Sequence, residues 1–229
     1  MDAPELLTML VRSFAGTDTE RPVPLRLCEA CVGTFHAQGG ALTISAEPED
    51  RLAVSTPGVF EQLEPLQEIL GEGPVHQALA EDRQVVMRIG AAVDEFPMFS
   101  QLAGSQLASR PAAVGLDETD LHAVPMRVDD RPVGVLSLYM PAGRRTLGAA
   151  ELQFAADAVG LSLLGNAELL DWSDRTPFHL ATGMVVAQLG VRPDDASAVI
   201  RALAFSRSTS LRSAAQDVLE RRVTFSPDG

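Results

Sequence analysis

Two cysteines three residues apart, four histidines and a cluster of arginines near the end are the side chains here with chemistry to offer. Cys28 and Cys31 have the CxxC spacing of redox and zinc sites, but a zinc site needs about four ligands and no second pair exists. They fall among Leu25, Leu27, Val32 and Phe35 in an apolar helical segment, where cysteine behaves as a small hydrophobe. His36, His76, His122 and His179 are scattered, with no HxH or HExxH spacing for a metal. His76, directly after a glycine turn, reads as a packing or surface residue. No GxSxG turn frames a serine nucleophile. Gly71-Glu72-Gly73 lacks the lysine and hydroxyl of a phosphate loop. The acidic cluster and lysine of a phospho-acceptor site are missing too. The sequence therefore predicts no enzyme, no cofactor and no metal.

The charge is uneven. Net charge is −13, which argues against nonspecific polyanion binding by the whole chain. Residues 171–229 carry seven arginines and seven acids, so the excess, 11 positive against 24 negative, lies in residues 1–170. All 18 basic residues are arginine, the better fork for phosphate. No apolar run reaches the roughly 18 residues of a membrane span. Asp2 and Glu5 lie where a signal peptide would be basic, so the expectation is a soluble, cytoplasmic protein with no membrane partner.

The elements that must position these residues follow in order. Helices are expected over 4–14 and 24–37. Ala41–Ser45 and Leu52–Ser55 form a strand pair across the Glu47–Arg51 turn. A helix over 59–70 contains Pro65, which threatens to kink it. A glycine–proline turn, Leu70-Gly71-Glu72-Gly73-Pro74, leads into a helix over 75–80. A strand over 84–89 and a loop and helix within 94–109 come next. Thr119–Val128 and Pro132–Met140 are the strongest strand pair, turning at Asp129-Asp130-Arg131. The pattern implies an α+β fold, an antiparallel sheet with helices gathered on one face.

One long helix is expected from Gly148 to about Trp172, with Leu152, Ala155, Val159, Ser162 or Leu163, Ala167 and Leu170 near a three-four repeat. Such a helix buries itself on the sheet or pairs with a copy of itself; the heptad-like seam favours a homodimer. Trp172 is read as sealing the junction with the tail.

The tail reads as three short amphipathic helices. Thr176-Pro177 starts the first, Phe178, Ala181, Val185 and Leu189 follow at helical spacing, and Gly190 stops it. Pro193-Asp194-Asp195 opens the second, with Ala196, Val199, Ile200 and Leu203 on one face. Leu211, Ala214, Ala215, Val218 and Leu219 make the third. Three domains result: a sensory domain over 1–147, a connecting helix over 148–172 as the dimer seam, and a three-helix domain over 173–229.

The Leu70–Pro74 turn with its following helix and strand, and the Pro125–Val128 and Arg131–Leu136 hairpin, together resemble a GAF sensory domain. Ala181-Thr182-Gly183-Met184-Val185-Val186-Ala187-Gln188-Leu189-Gly190, then Ala196, Ile200, Ala204, Leu211, Ala214 and Val218, resemble an ANTAR domain. The order is that of GAF–ANTAR regulators of high-GC bacteria. The resemblance implies a signal-responsive RNA-binding regulator of transcription termination, whose GAF-like domain gates an ANTAR-like tail. Such proteins bind paired hairpin loops in nascent transcripts as dimers and prevent terminator formation.

Many ANTAR domains carry lysine or arginine where this chain has Thr182, which can hydrogen-bond a phosphate or 2′-hydroxyl but adds no charge. The resemblance thus leaves His179, Thr182, Arg201, Arg207 and Arg212 as candidate RNA-binding residues. The resemblance leaves room for a small-molecule ligand in the GAF-like domain and names none; Val75 stands where a bilin-attaching cysteine is expected. A second reading, from another class, is a scaffold whose tail docks on a protein partner while the GAF-like domain only dimerises.

Overall fold

The computed structural model describes residues 2–47, 50–108, 119–143, 148–165 and 176–226. The chain divides into two compact units, Met1–Gln67 with Gly71–Leu170, and Asp171–Gly229 with Glu68–Leu70. The first unit holds α1 (Ala3–Ala15), α2 (Val23–Phe35), β1 (Gly39–Glu47), β2 (Asp50–Ser55), α3 (Leu63–Leu70) up to Gln67, α4 (Pro74–Glu81), β3 (Val85–Arg88), α5 (Pro97–Ala108), β4 (Thr119–Val128), β5 (Arg131–Pro141) and α6 (Ala149–Leu164). The second holds α7 (Thr176–Leu189), α8 (Pro193–Ser206) and α9 (Leu211–Leu219).

Five strands make one sheet in the order β2-β1-β5-β4-β3, and each neighbouring pair runs antiparallel. The β4–β5 turn works because Asp129 and Asp130 both take left-handed backbones, φ 51° and 57°, which suit a two-residue hairpin and which short polar side chains tolerate. β4 and β5 are buried along most of their length rather than on alternate residues. That pattern belongs to strands covered on both faces.

Helices do cover both faces, which corrects the one-sided expectation. Gly39 and Gly40 are neighbours and so point to opposite sides. Space over Gly39 is closed by Phe60, and space over Gly40 by Val32 and Cys28 of α2. Thr43, on the Gly39 side, bonds Glu64 of α3. Across the sheet, α6 lies close on β4 at Gly160, where a Cβ would stand 3.2 Å from Met126 Cβ and 3.3 Å from Val133 Cγ2, tighter than ordinary contact.

Pro65 does not break its helix. α3 starts at Leu63 rather than Val59, which puts the proline in the first turn, where its missing N–H has no partner to lose. Of the residues expected along the long helix, Leu152, Ala155, Val159 and Leu163 are buried within the chain, where α6 packs on the sheet. Ala167, Leu170 and Trp172 lie outside the described residues. Among those described, no helix is long and apolar enough to cross a membrane.

The second unit has its own core of Phe178, Ala181, Val185, Ala196, Ile200, Ala204, Leu211, Ala214, Ala215 and Val218. Half of these are alanines, which lets three short helices pack closely. Gly190, at φ 67°, ends α7, and Ser210 caps α9 by accepting the Ser213 N–H at 3.1 Å.

Candidate nucleic-acid interface and buried polar cluster

The five candidate residues of the tail fare differently. His179 is exposed on α7, its ring edge-on to Phe178 with centroids 6.1 Å apart. Thr182 is half-buried, and its hydroxyl donates to the Phe178 carbonyl one turn back at 2.9 Å. That bond uses the one proton it could offer a phosphate. Arg201 is half-buried in α8, with a buried Nε that has no partner among the described residues. Arg212 is exposed in the first turn of α9.

Arg207 is held by an acid that the sequence reading passed over. Its Nη1 lies 3.0 Å from Asp217 Oδ2, and Arg222 Nε lies 2.8 Å from Oδ1 of the same carboxylate. The Arg222 hydrogen bond, with a smaller contribution from Arg207, holds the Asp217 carboxyl below the usual carboxylate range. The even charge of the tail is thus partly even in space. Nothing local marked Asp217, since Arg207 lies ten residues away. Exposed pairs of this kind exchange readily, and a phosphate can replace the carboxylate. Arg221, exposed and left-handed at φ 57°, lies close in sequence and was not foreseen.

Gly183 supplies a further clue. It sits inside α7, exposed, with no atom of the described residues within 4 Å of where a Cβ would stand. A glycine there costs a helix about 1 kcal/mol relative to alanine, with no packing among the described residues to justify it. Gly183→Ala is therefore expected to raise the stability of the bundle by about 1 kcal/mol, read from the thermal or denaturant midpoint. Where a partner's backbone closes on this spot, the same change weakens binding. A destabilised variant would show that Gly183 serves the fold instead.

In the sheet unit, the chemistry-bearing residues are mostly structural. Cys28 and Cys31 are free and fully buried. Burial pushes the Cys31 thiol up to about 12 and raises Cys28 as well, helped by the nearby Cys31 and Glu64. Neither offers a thiolate to a metal or an oxidant. His76 Nε2 meets the Gln67 carbonyl at 3.0 Å, and buried His122 pairs with Gln84 at 3.1 Å. Burial lowers the His122 pKa, so it stays neutral at neutral pH.

The Leu70–Pro74 turn is a three-way joint. Gln67 Oε1 accepts the Val75 N–H at 2.9 Å, Gly73 leaves room for that side chain, and Glu72 reaches across to the first turn of α5, accepting the Phe99 N–H at 2.7 Å. The role of Glu72 as a cap was invisible in sequence, being 27 residues from its partner. Above the same face of the sheet lies a buried polar cluster. Glu64, 3 % exposed, accepts from Thr43 Oγ1 at 3.2 Å and from the Tyr139 hydroxyl at 3.5 Å, while Phe60 stacks on Tyr139 at 4.3 Å. Burial, with Glu64 beside it, raises the Tyr139 pKa well above its ordinary value. Ser137 Oγ and Gln67 Nε2 are buried without partners among the described residues. Unpaired buried groups of this kind mark where a water or a small polar molecule would be held. Among the described residues no group of three His, Cys, Asp or Glu side chains is arranged to hold a metal.

The geometry defines an α+β unit with a five-stranded antiparallel sheet, followed by a three-helix unit. No protein-family model matches the chain, and no curated protein does. The chain is similar in fold over about three quarters of its length to solved structures, several of them GAF domains. The GAF domain of a phosphoenolpyruvate-protein phosphotransferase from Coxiella burnetii matches at 9 % identity with a TM-score of 0.47, covering 73 % of this chain and 98 % of that one. The A. aeolicus Nlh2 GAF domain in an inactive state matches at 10 % and 0.44, over 72 % and 96 %. Free methionine-R-sulfoxide reductase from Neisseria meningitidis, in complex with its substrate, matches at 16 % and 0.44, over 73 % and 92 %.

Proposed function

We propose that this protein is a cytoplasmic, signal-responsive RNA-binding regulator that is not an enzyme. It acts on nascent transcripts to control transcription termination, with a GAF-like sheet unit gating an ANTAR-like three-helix unit. The protein works as a homodimer, so that two bundles take two hairpin loops. One observation carries the reading: a self-contained bundle whose core falls on the spaced apolar residues of the ANTAR resemblance, while Gly183 stays open to an approaching backbone. Phosphate contact falls to Arg201, Arg207 and Arg212 with His179; Thr182 contributes its lone pairs only. A small polar molecule held near Glu64, Ser137 and Gln67 is the signal in this scheme.

A second reading is favoured by Leu180 and Phe205, which are 57 % and 46 % exposed on α7 and α8. Apolar side chains so displayed suit a protein partner. Crosslinking the protein in its native cell and sequencing the bound RNA tests the first reading: enriched paired hairpins upstream of terminators are expected. A pull-down whose partner survives RNase, with no RNA enriched, points to protein docking instead.

A further inference from the structure

In the tail bundle two arginines share a single carboxylate. Arg207 follows α8, Arg222 follows α9, and Asp217 of α9 gives one oxygen to each. Arg222 also pairs with Glu220, so these four charges cancel. Arg207 has one acid only: among the described residues its side chain donates to Asp217 and to nothing else. Its side chain is 46 % exposed against 21 % for Asp217, so the guanidinium is the more accessible of the two.

The helix itself gives no reason for an acid at 217. Asp217 is the only acid of α9 and stands in its last turn, the negative end of the helix dipole, where a base is preferred. The two arginines are what make a carboxylate acceptable there. The hydrogen bond from Arg222, with a smaller part from Arg207, holds its carboxyl below the usual range, so the charge is present at neutral pH. A carboxylate and an RNA phosphodiester each offer two oxygens to a guanidinium fork. Asp217 therefore occupies on Arg207 the place that a phosphate takes, and a contact between Arg207 and RNA starts with the loss of one to Asp217.

We infer, on the RNA-binding reading proposed above, that Asp217 is a built-in competitor for phosphate at Arg207. Arg222 pins the acid, the acid holds Arg207, and RNA binds by exchanging its phosphate for the carboxylate. The acid thereby sets the affinity of the bundle for RNA below what its arginines alone would give.

The test is titration of the full chain with a two-hairpin RNA at low salt, read by fluorescence anisotropy. The proteins are wild type, Asp217→Asn, Arg207→Gln and the double variant, with Asp194→Asn as a control for the same change of charge. Asp194 is exposed in the first turn of α8. Asp217→Asn is expected to tighten binding about fivefold, because the exchange no longer breaks an ion pair, and Asp194→Asn no more than about twofold. Asp217→Ser, equally uncharged, is expected to match Asp217→Asn. Arg207→Gln is expected to weaken binding, and Asp217→Asn added to it to gain no more than the control does, since Arg222 keeps Glu220. An Asp217→Asn gain equal to the control's, a loss in its place, a gain that survives Arg207→Gln, or an Arg207→Gln variant that binds like the wild type overturns the competitor and leaves RNA binding standing. A chain that binds the RNA in none of these forms at about 100 µM overturns the RNA reading itself, and the competitor with it.

Discussion

Gly134→Ala is expected to destabilise the five-stranded sheet severely. Gly134 sits in β5 between Ile44 of β1 and Met126 of β4, beside the β4 irregularity at Met126–Arg127. A Cβ there would lie 2.2 Å from the Thr43 carbonyl oxygen, 2.6 Å from Met126 Cε and 3.0 Å from Ile44 Cα. The methionine can swing away. The carbonyl and Cα are backbone held by the β1–β5 ladder, so the strands must part. Overpacking of this kind costs about 3 kcal/mol or more, a large share of the 5–15 kcal/mol of an ordinary domain. Hydrogen exchange checks it unit by unit: protection of β1, β4 and β5 amides should collapse while that of α7–α9 persists. Retained protection in β1 would mean that the strands can separate cheaply.

Gly73→Ala is expected to cost nearly as much for a different reason. Its backbone, φ 132° and ψ 174°, lies where only glycine is at ease. A Cβ would also stand 2.5 Å from Gln67 Oε1, which receives the Val75 N–H. Strain and a lost buried hydrogen bond together come to about 3 kcal/mol. Gly71, at φ 68°, is in the ordinary left-handed region. Gly71→Ala should therefore cost only about 1 kcal/mol. Denaturant midpoints of the two variants give the comparison, and equal losses would refute the role assigned to Gln67.

Much of this molecule was legible in its sequence because local rules were obeyed. Apolar spacing placed the tail helices and their core positions, Ala181, Val185, Ile200 and Val218 among them, and Gly190 marked a real stop. The Asp129–Asp130 turn and its strands followed from turn chemistry alone. What escaped depends on distance along the chain. Glu72 capping α5, Asp217 holding Arg207, and the Glu64–Thr43–Tyr139 cluster are contacts that no window of ten residues contains. The apolar repeat of α6 did not distinguish a partner helix from the sheet, since both accept the same spacing; Leu152, Ala155 and Val159 lie buried within the chain. The arginines were chosen by type, and type does not reveal that one is paired and another half-buried.

The central claim is that the three-helix unit grips RNA through Arg201, Arg207 and Arg212. Titration of the full chain with a two-hairpin RNA across a salt series tests it most directly, alongside the triple alanine variant. Each phosphate contact contributes about −0.7 to −0.9 to the slope of log affinity against log salt, so three contacts predict a slope of about −2 to −3. The triple variant is expected to lose both that slope and measurable binding. Binding as tight as wild type, or a wild-type affinity that salt leaves unchanged, would contradict the account.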